Sequence, residues 1–182
     1  MDRRSAEAPV FFDCEASSLD GYIIEVGWAF VSPAASKIVS AGYLIRPAPD
    51  WKIKDAWSRN SEKIHGISLD DLRQRGRPVE EIAEVLNREL AGRELFSDDW
   101  TYDEGWLMQV FEAARTEPFF TISHINAREL VEQMAAQQNF DLMRLREAIA
   151  ESKNGSSHRA EADARDWAEI WRMVIKTSAR QS

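Results

Sequence analysis

Pro9-Val10-Phe11-Phe12-Asp13-Cys14-Glu15 is the stretch on which the fold turns. Apolar residues end abruptly in acids, the profile of a short buried strand that carries polar chemistry at its C-terminal end. In a strand, residues i and i+2 share a face, so Asp13 and Glu15 project together while Cys14 points the other way. Gly21 to Val31 (GYIIEVGWAFV) is rich in β-branched and aromatic residues and reads as a second strand. Pro33 begins a turn, and Lys37 to Arg46 (KIVSAGYLIR) alternates well enough for a third. Three strands joined by short turns predict an antiparallel meander.

The pattern changes after Pro47. Pro78 to Ala91 (PVEEIAEVLNRELA) is an amphipathic helix with Pro in its first turn, Glu80 and Glu81 near its positive end and Gly92 as its stop. Glu94–Ser97 and Phe119–Ser123 are strand candidates. Asp103–Ala114, Asn126–Gln137 and Phe140–Ser152 read as helices. Lys153-Asn154-Gly155-Ser156-Ser157 is a breaker, and Arg159–Lys176 forms a last helix with Trp167, Ile170, Trp171 and Val174 on its apolar face. A strand-rich first third followed by alternating helices and strands indicates one α/β domain over residues 9–178, with a flexible segment at 1–8 and a short tail at 179–182.

Composition narrows the function classes. Hydrophobic residues make up 44% and charged residues 30% of the 182, the balance of a globular chain rather than a disordered one. No apolar run approaches the roughly 20 residues that cross a bilayer, and no apolar segment follows the charged N-terminus as a secretory signal would. Cys14 is the only cysteine, which excludes a disulfide framework and a cysteine zinc site and fits a cytoplasmic protein. The formal charge of −8 argues against a long basic nucleic-acid groove. It leaves room for a small site where cations meet a phosphate.

Three places carry potential chemistry. Asp13 and Glu15 are neighbouring carboxylates that repel each other unless a cation joins them, and oxygen-only donors favour hard ions such as magnesium or manganese. A solvated strand end would carry the same pair. Asp103 opens the middle helix in a segment where Asp98, Asp99, Asp103 and Glu104 crowd together, beyond what helix capping needs. His158 follows the breaker with Asp163 one turn inside the last helix, and histidine is the natural general base near neutral pH. Trp28, Trp167 and Trp171 belong to the core, whereas Trp100 or Trp106, beside the acidic loop, offers a face on which a base stacks. His65 and His124 read as structural or surface residues.

In combination these motifs resemble the DEDD exonuclease superfamily, and more narrowly its DnaQ-like, histidine-bearing (DEDDh) branch of the RNase H-like superfamily. The order is a strand D-x-E, an Asp opening a middle helix, and H-x4-D opening the last. Ile23-Ile24-Glu25-Val26-Gly27 resembles the family's second strand, and Ile64-His65-Gly66-Ile67 its I-H-G-I segment. Tyr102 to Leu107 resembles its F-D-x-x-F-L, and His158 to Ala164 its H-R-A-x-x-D-A. The resemblance runs from about residue 9 to 175. Two places depart from it. Ala16-Ser17-Ser18-Leu19 stands where T-T-G or x-T-G-L is usual, and Asp98-Asp99 where H-N precedes F-D.

The resemblance implies an RNase H-like mixed sheet, three antiparallel N-terminal strands plus parallel strands, flanked by helices. It implies that Asp13, Glu15, Asp103 and Asp163 hold two divalent cations, Mg2+ or Mn2+, and that His158 acts as general base. The reaction implied is 3′–5′ exonucleolytic release of nucleoside 5′-monophosphates from single-stranded DNA or RNA. The backbone at Ala16 would meet the terminal 3′-hydroxyl, Leu19 would wedge against the terminal base, and Trp106 would line the same subsite. The chain ends at Ser182, just past the last helix, so a stand-alone enzyme without a polymerase-tethering tail is expected. Relatives acting on RNA are often homodimers, which makes a homodimer compatible with this chain. Two rival readings are a catalytically weak or inactive exonuclease-fold module that binds nucleic acid or protein, and an unrelated acidic α/β domain.

Overall fold

A computed structural model describes residues 8–32, 37–155 and 157–178. The turn expected at Pro33, Ser156 of the breaker, the first seven residues and the tail at 179–182 lie outside the described residues. Among the described residues, five strands form one sheet: β1 (Val10–Ala16), β2 (Ile23–Val31), β3 (Ile38–Leu44), β4 (Glu94–Phe96) and β5 (Thr121–Ile122). Their order is β3-β2-β1-β4-β5. The β1–β2 and β2–β3 pairs are antiparallel, and the β1–β4 and β4–β5 pairs are parallel. The expected RNase H-like arrangement is therefore observed, with the acidic strand at its centre.

Alternation along β1 and β2 divides the core in two. Val10, Phe12 and Cys14 join Val26 and Trp28 under helices α3 (Val79–Leu90) and α4 (Trp100–Ala114). Phe11, Ala29 and Val31 face the other way, against α5 (Ala127–Gln137), α6 (Leu142–Gly155) and α7 (Ala160–Ser178). Asp13, Glu15, Glu25 and Gly27 have the parity of this second face, which is why α7 passes over them. Helix α7 comes close because Ala160, Ala164 and Ala168, spaced one turn apart, are fully buried. Farther along, Trp167, Ile170, Trp171 and Val174 supply the apolar weight. Each such buried side chain contributes about 1.5–3 kcal/mol.

Several boundaries differ from the sequence expectations. Helix α4 starts at Trp100, three residues before Asp103; Asp99 precedes it at the N-cap position, its carboxylate accepting from the Thr101 hydroxyl rather than from a helix amide. Helix α6 continues through Lys153, Asn154 and Gly155, so the break before His158 is shorter than the composition suggests. Pro78 sits at the cap position of α3 rather than inside it. Two short helices were not expected at all: α1 (Arg59–His65) and α2 (Leu69–Arg75). Each begins at a serine cap. The Ser58 side chain accepts from the Ser61 amide, and Ser68 forms a reciprocal capping box with Asp71.

Candidate active site

The C-terminal end of β1 opens into a cleft of about 380 Å³. Asp13, Glu15, Ala16, Leu19, Asp103, Trp106, His158 and Asp163 all line it, so these eight candidates named from the sequence meet in one place. Asp13 and Glu15 come from β1, next to an irregularity in the β1–β2 register between Glu15 and Ala16. Such a bulge re-aims side chains at a strand end. Asp103 leans in from the first turn of α4, whose approach to β1 is marked by the Cys14 thiol, 3.9 Å from the Asp103 carbonyl oxygen. Trp106 follows on α4 and packs partly against the core.

The turn between β1 and β2 carries Leu19 and is held from several directions. The Ser17 hydroxyl accepts from the Tyr22 amide at 2.9 Å. The Gln109 side chain accepts from the Ile23 amide and donates to the Gly21 carbonyl, each at 3.0 Å. A Cβ at Gly21 would stand 2.3 Å from the Ser17 hydroxyl and 2.8 Å from the Ser18 backbone nitrogen, so a side chain there would force the turn to shift. Leu19 is left 58% exposed at the cleft rim. An apolar side chain held open to solvent in this way is available to a ligand.

His158 and Asp163 arrive with the N-terminus of α7. Gly27 of β2 makes their approach possible: a Cβ there would lie 2.1 Å from the Glu161 backbone nitrogen and 2.2 Å from the Ala160 carbonyl carbon. Gly42, its register partner on β3, leaves similar room for the Glu161 side chain. The helix end therefore lies in a slot made by two glycines. His158 is solvent-exposed and has a φ of 47°, a left-handed backbone that costs a non-glycine residue of order 1 kcal/mol. Donor atoms of Glu15, His158 and Asp163 lie within 4.8 Å of one another.

The electrostatics is that of crowded acids. Burial, then the charges of Asp103, Glu15 and Asp163, holds the Asp13 carboxyl well above its usual range. Burial and then Asp163 and Glu25 push Glu15 up to about 8. Asp103 is pushed up to about 7, first by burial, with Asp99 and Asp98 adding to it. A divalent cation would relieve all three, and a set of carboxylate oxygens suits a hard ion. The residues present thus fit a divalent-cation site. The Cys14 thiol is also raised, by burial and then Asp103, which keeps it an inert core group.

Several cleft residues escaped the sequence reading. Ile64 and Tyr102 line it as exposed apolar side chains, and Tyr102 contacts Trp106 with ring centroids 5.6 Å apart. His65, expected to be structural or on the surface, is buried and lines the cleft. Its Nδ1 accepts from the Ile67 amide at 3.0 Å, so Nε2 carries the proton, without a partner among the described residues. The I-H-G-I segment was the available signal for Ile64 and His65. Trp100 is not among the cleft-lining residues and stacks on His124 at 4.3 Å.

No family model matches the chain, and no curated protein matches it in sequence. Solved structures do. The zinc-bound E. coli exonuclease I complex with single-stranded DNA superposes with a TM-score of 0.68 at 12% identity, covering 96% of this chain and 41% of that one. The fold is that of the DnaQ-like exonucleases. Exonuclease I from Methylocaldum szegediense gives a TM-score of 0.65 at 12% identity, over 95% of this chain and 41% of that one. Exonuclease X bound to 5′-overhanging duplex DNA gives 0.56 at 20% identity, over 93% and 92%. This exonuclease-fold chain thus spans about two fifths of the exonuclease I chains and nearly the whole of exonuclease X. Among the described residues, no helix is long and apolar enough to cross a membrane.

Proposed function

We propose that this chain is a divalent-metal-dependent 3′–5′ exonuclease acting on single-stranded DNA or RNA ends. The observation that carries the reading is the convergence of Asp13, Glu15, Asp103, His158 and Asp163, from three separate parts of the chain, on one cleft. An inactive binding module has no need of all five. The exonuclease fold and the DNA-bound states of similar structures support the same reading.

Asp13, Glu15, Asp103 and Asp163 would hold two cations, Mg2+ or Mn2+. Bound there, these would supply positive charge to the scissile phosphate and acidity to the attacking water. The exposed imidazole of His158 would accept a proton from the attacking water as general base. The backbone at Ala16 meets the terminal 3′-hydroxyl. Leu19 and Trp106, joined by Ile64 and Tyr102, hold the terminal base by apolar contact and stacking. The −8 charge and compact cleft favour a grip on a few terminal nucleotides rather than tracking along a strand.

The test is a time course on 5′-labelled single-stranded DNA and RNA oligomers with Mg2+ or Mn2+. The expected result is a ladder shortening from the 3′ end, abolished by EDTA, with nucleoside 5′-monophosphates as products. Absence of cleavage of both strands under all metal conditions would overturn the reading.

A further inference from the structure

Glu25 and Arg159 have no assigned role in the proposed reaction, yet their contact ties β2 to the two residues that follow the proposed base. We propose that this pair is a positioning device that holds His158 in its left-handed backbone conformation, with the imidazole against Glu15 and Asp163. The inference rests on the nuclease reading and adds two residues to it.

The Glu25 side chain is 5% exposed. Arg159 donates to it through Nε at 3.0 and 3.2 Å and through Nη2 at 2.5 Å, and the Ala160 amide donates to it at 3.0 Å. A buried carboxylate is tolerated only when its oxygens are satisfied, and here they are. The Ala160 amide is the first of α7, so Glu25 caps that helix from a neighbouring strand. The guanidinium fork fixes direction as well as distance, which a lysine would not do.

Both anchors grip the chain immediately after His158, whose backbone sits at φ 47°. Glu25 is also the register partner of Glu15 across β1–β2, so the anchor and the acid beside the imidazole ride on one strand pair. Holding α7 on the sheet does not require the pair. Trp167, Ile170, Trp171 and Val174 bury the helix farther along, and Arg159 itself is 43% exposed. What the pair determines is the path of residues 158 to 160.

The test places Arg159→Ala, Arg159→Lys and Glu25→Gln in both the wild-type and the His158→Ala backgrounds. With His158 present, Arg159→Ala is expected to lower kcat by about tenfold or more with KM within about twofold. Glu25→Gln behaves alike, and Arg159→Lys restores part of the rate. With His158 removed, Arg159→Ala costs less than about a further twofold, because a residue acting through another has nothing left to act on. The imidazole Hε1 resonance of His158, assigned by its loss in His158→Ala, gives a readout independent of turnover. It moves towards the free-histidine position in Arg159→Ala, while that of His124 stays.

Equal losses in both backgrounds, or an unmoved His158 resonance, would overturn the assignment and leave the nuclease reading standing. A wild-type chain that cuts nothing, or a His158→Ala variant as fast as wild type, would instead bring down the nuclease reading. The resonance alone would then decide whether the pair positions His158.

Discussion

Gly27→Ala adds one methyl group where α7 meets the sheet. The new Cβ would stand 2.1 Å from the Glu161 nitrogen and 2.2 Å from the Ala160 carbonyl carbon, against an ordinary contact of 3.4 Å or more. Both neighbours are backbone atoms, so no side-chain rotation relieves the clash, and the first turn of α7 must retreat by about an ångström. That turn carries Asp163 and is preceded directly by His158. A misplacement of this size predicts a loss of roughly 10²-fold in kcat. Overpacking adds a destabilisation of about 1–3 kcal/mol. Gly105→Ala serves as the control. Its Cβ meets nothing within 4 Å, and the residue lies inside α4, so alanine stabilises by about 0.5–1 kcal/mol. Urea unfolding and the rate on a labelled oligonucleotide read both variants. A Gly27→Ala protein that matches wild type in both assays would refute the argument that this glycine sets the approach of α7.

Asp13→Asn is expected to abolish hydrolysis while the fold persists, because one charge fewer eases the repulsion in the cluster; near-normal turnover in that variant would remove Asp13 from the site. Glu15 and Asp103 have folded-state values raised to about 8 and about 7 from ordinary values of 4.5 and 3.8. Folding therefore favours their protonated forms, and their contribution to stability is full below the ordinary values and is lost progressively as pH rises from there to about 7 and about 8. In EDTA the Tm should fall across that window, and Mn2+ should restore it; a metal-free Tm that climbs from pH 5 to 8 contradicts the crowding argument. Trp106→Ala should raise KM by about tenfold with a smaller change in kcat, the worth of one base–aromatic stack. An unchanged KM would place the base platform elsewhere in the cleft.

Much of the site was legible because its residues sit in local patterns with local consequences. Period-two geometry alone puts Asp13 and Glu15 on one face of β1. Helical spacing alone puts Asp163 one turn inside the helix that His158 precedes. The short helices α1 and α2 were not legible as periodicity, since seven residues make barely two turns. Their serine caps were the only sign of them. The early start of α4 is illegible for a related reason: four acids crowd residues 98 to 104, and Asp99 at the N-cap position makes no side-chain bond to a helix amide.

Residue order, through its resemblance to the DEDDh pattern, named the candidate carboxylates and imidazole and the strand and helix ends that present them. It could not say what Glu25 and Gly27 are for, because on β2 they look like one more acid and one more small residue. Their meaning comes from α7, more than 130 residues farther on, crossing that face so closely that only a hydrogen fits at 27 and only a buried carboxylate at 25 satisfies the helix end. Contacts between distant segments depend on how two surfaces pack, and packing is a property of the folded volume rather than of any window of sequence. The raised carboxylates have the same origin, since their burial, and then the approach of Asp103 and Asp163 to Asp13 and Glu15, come about only once β1, α4 and α7 share one cleft.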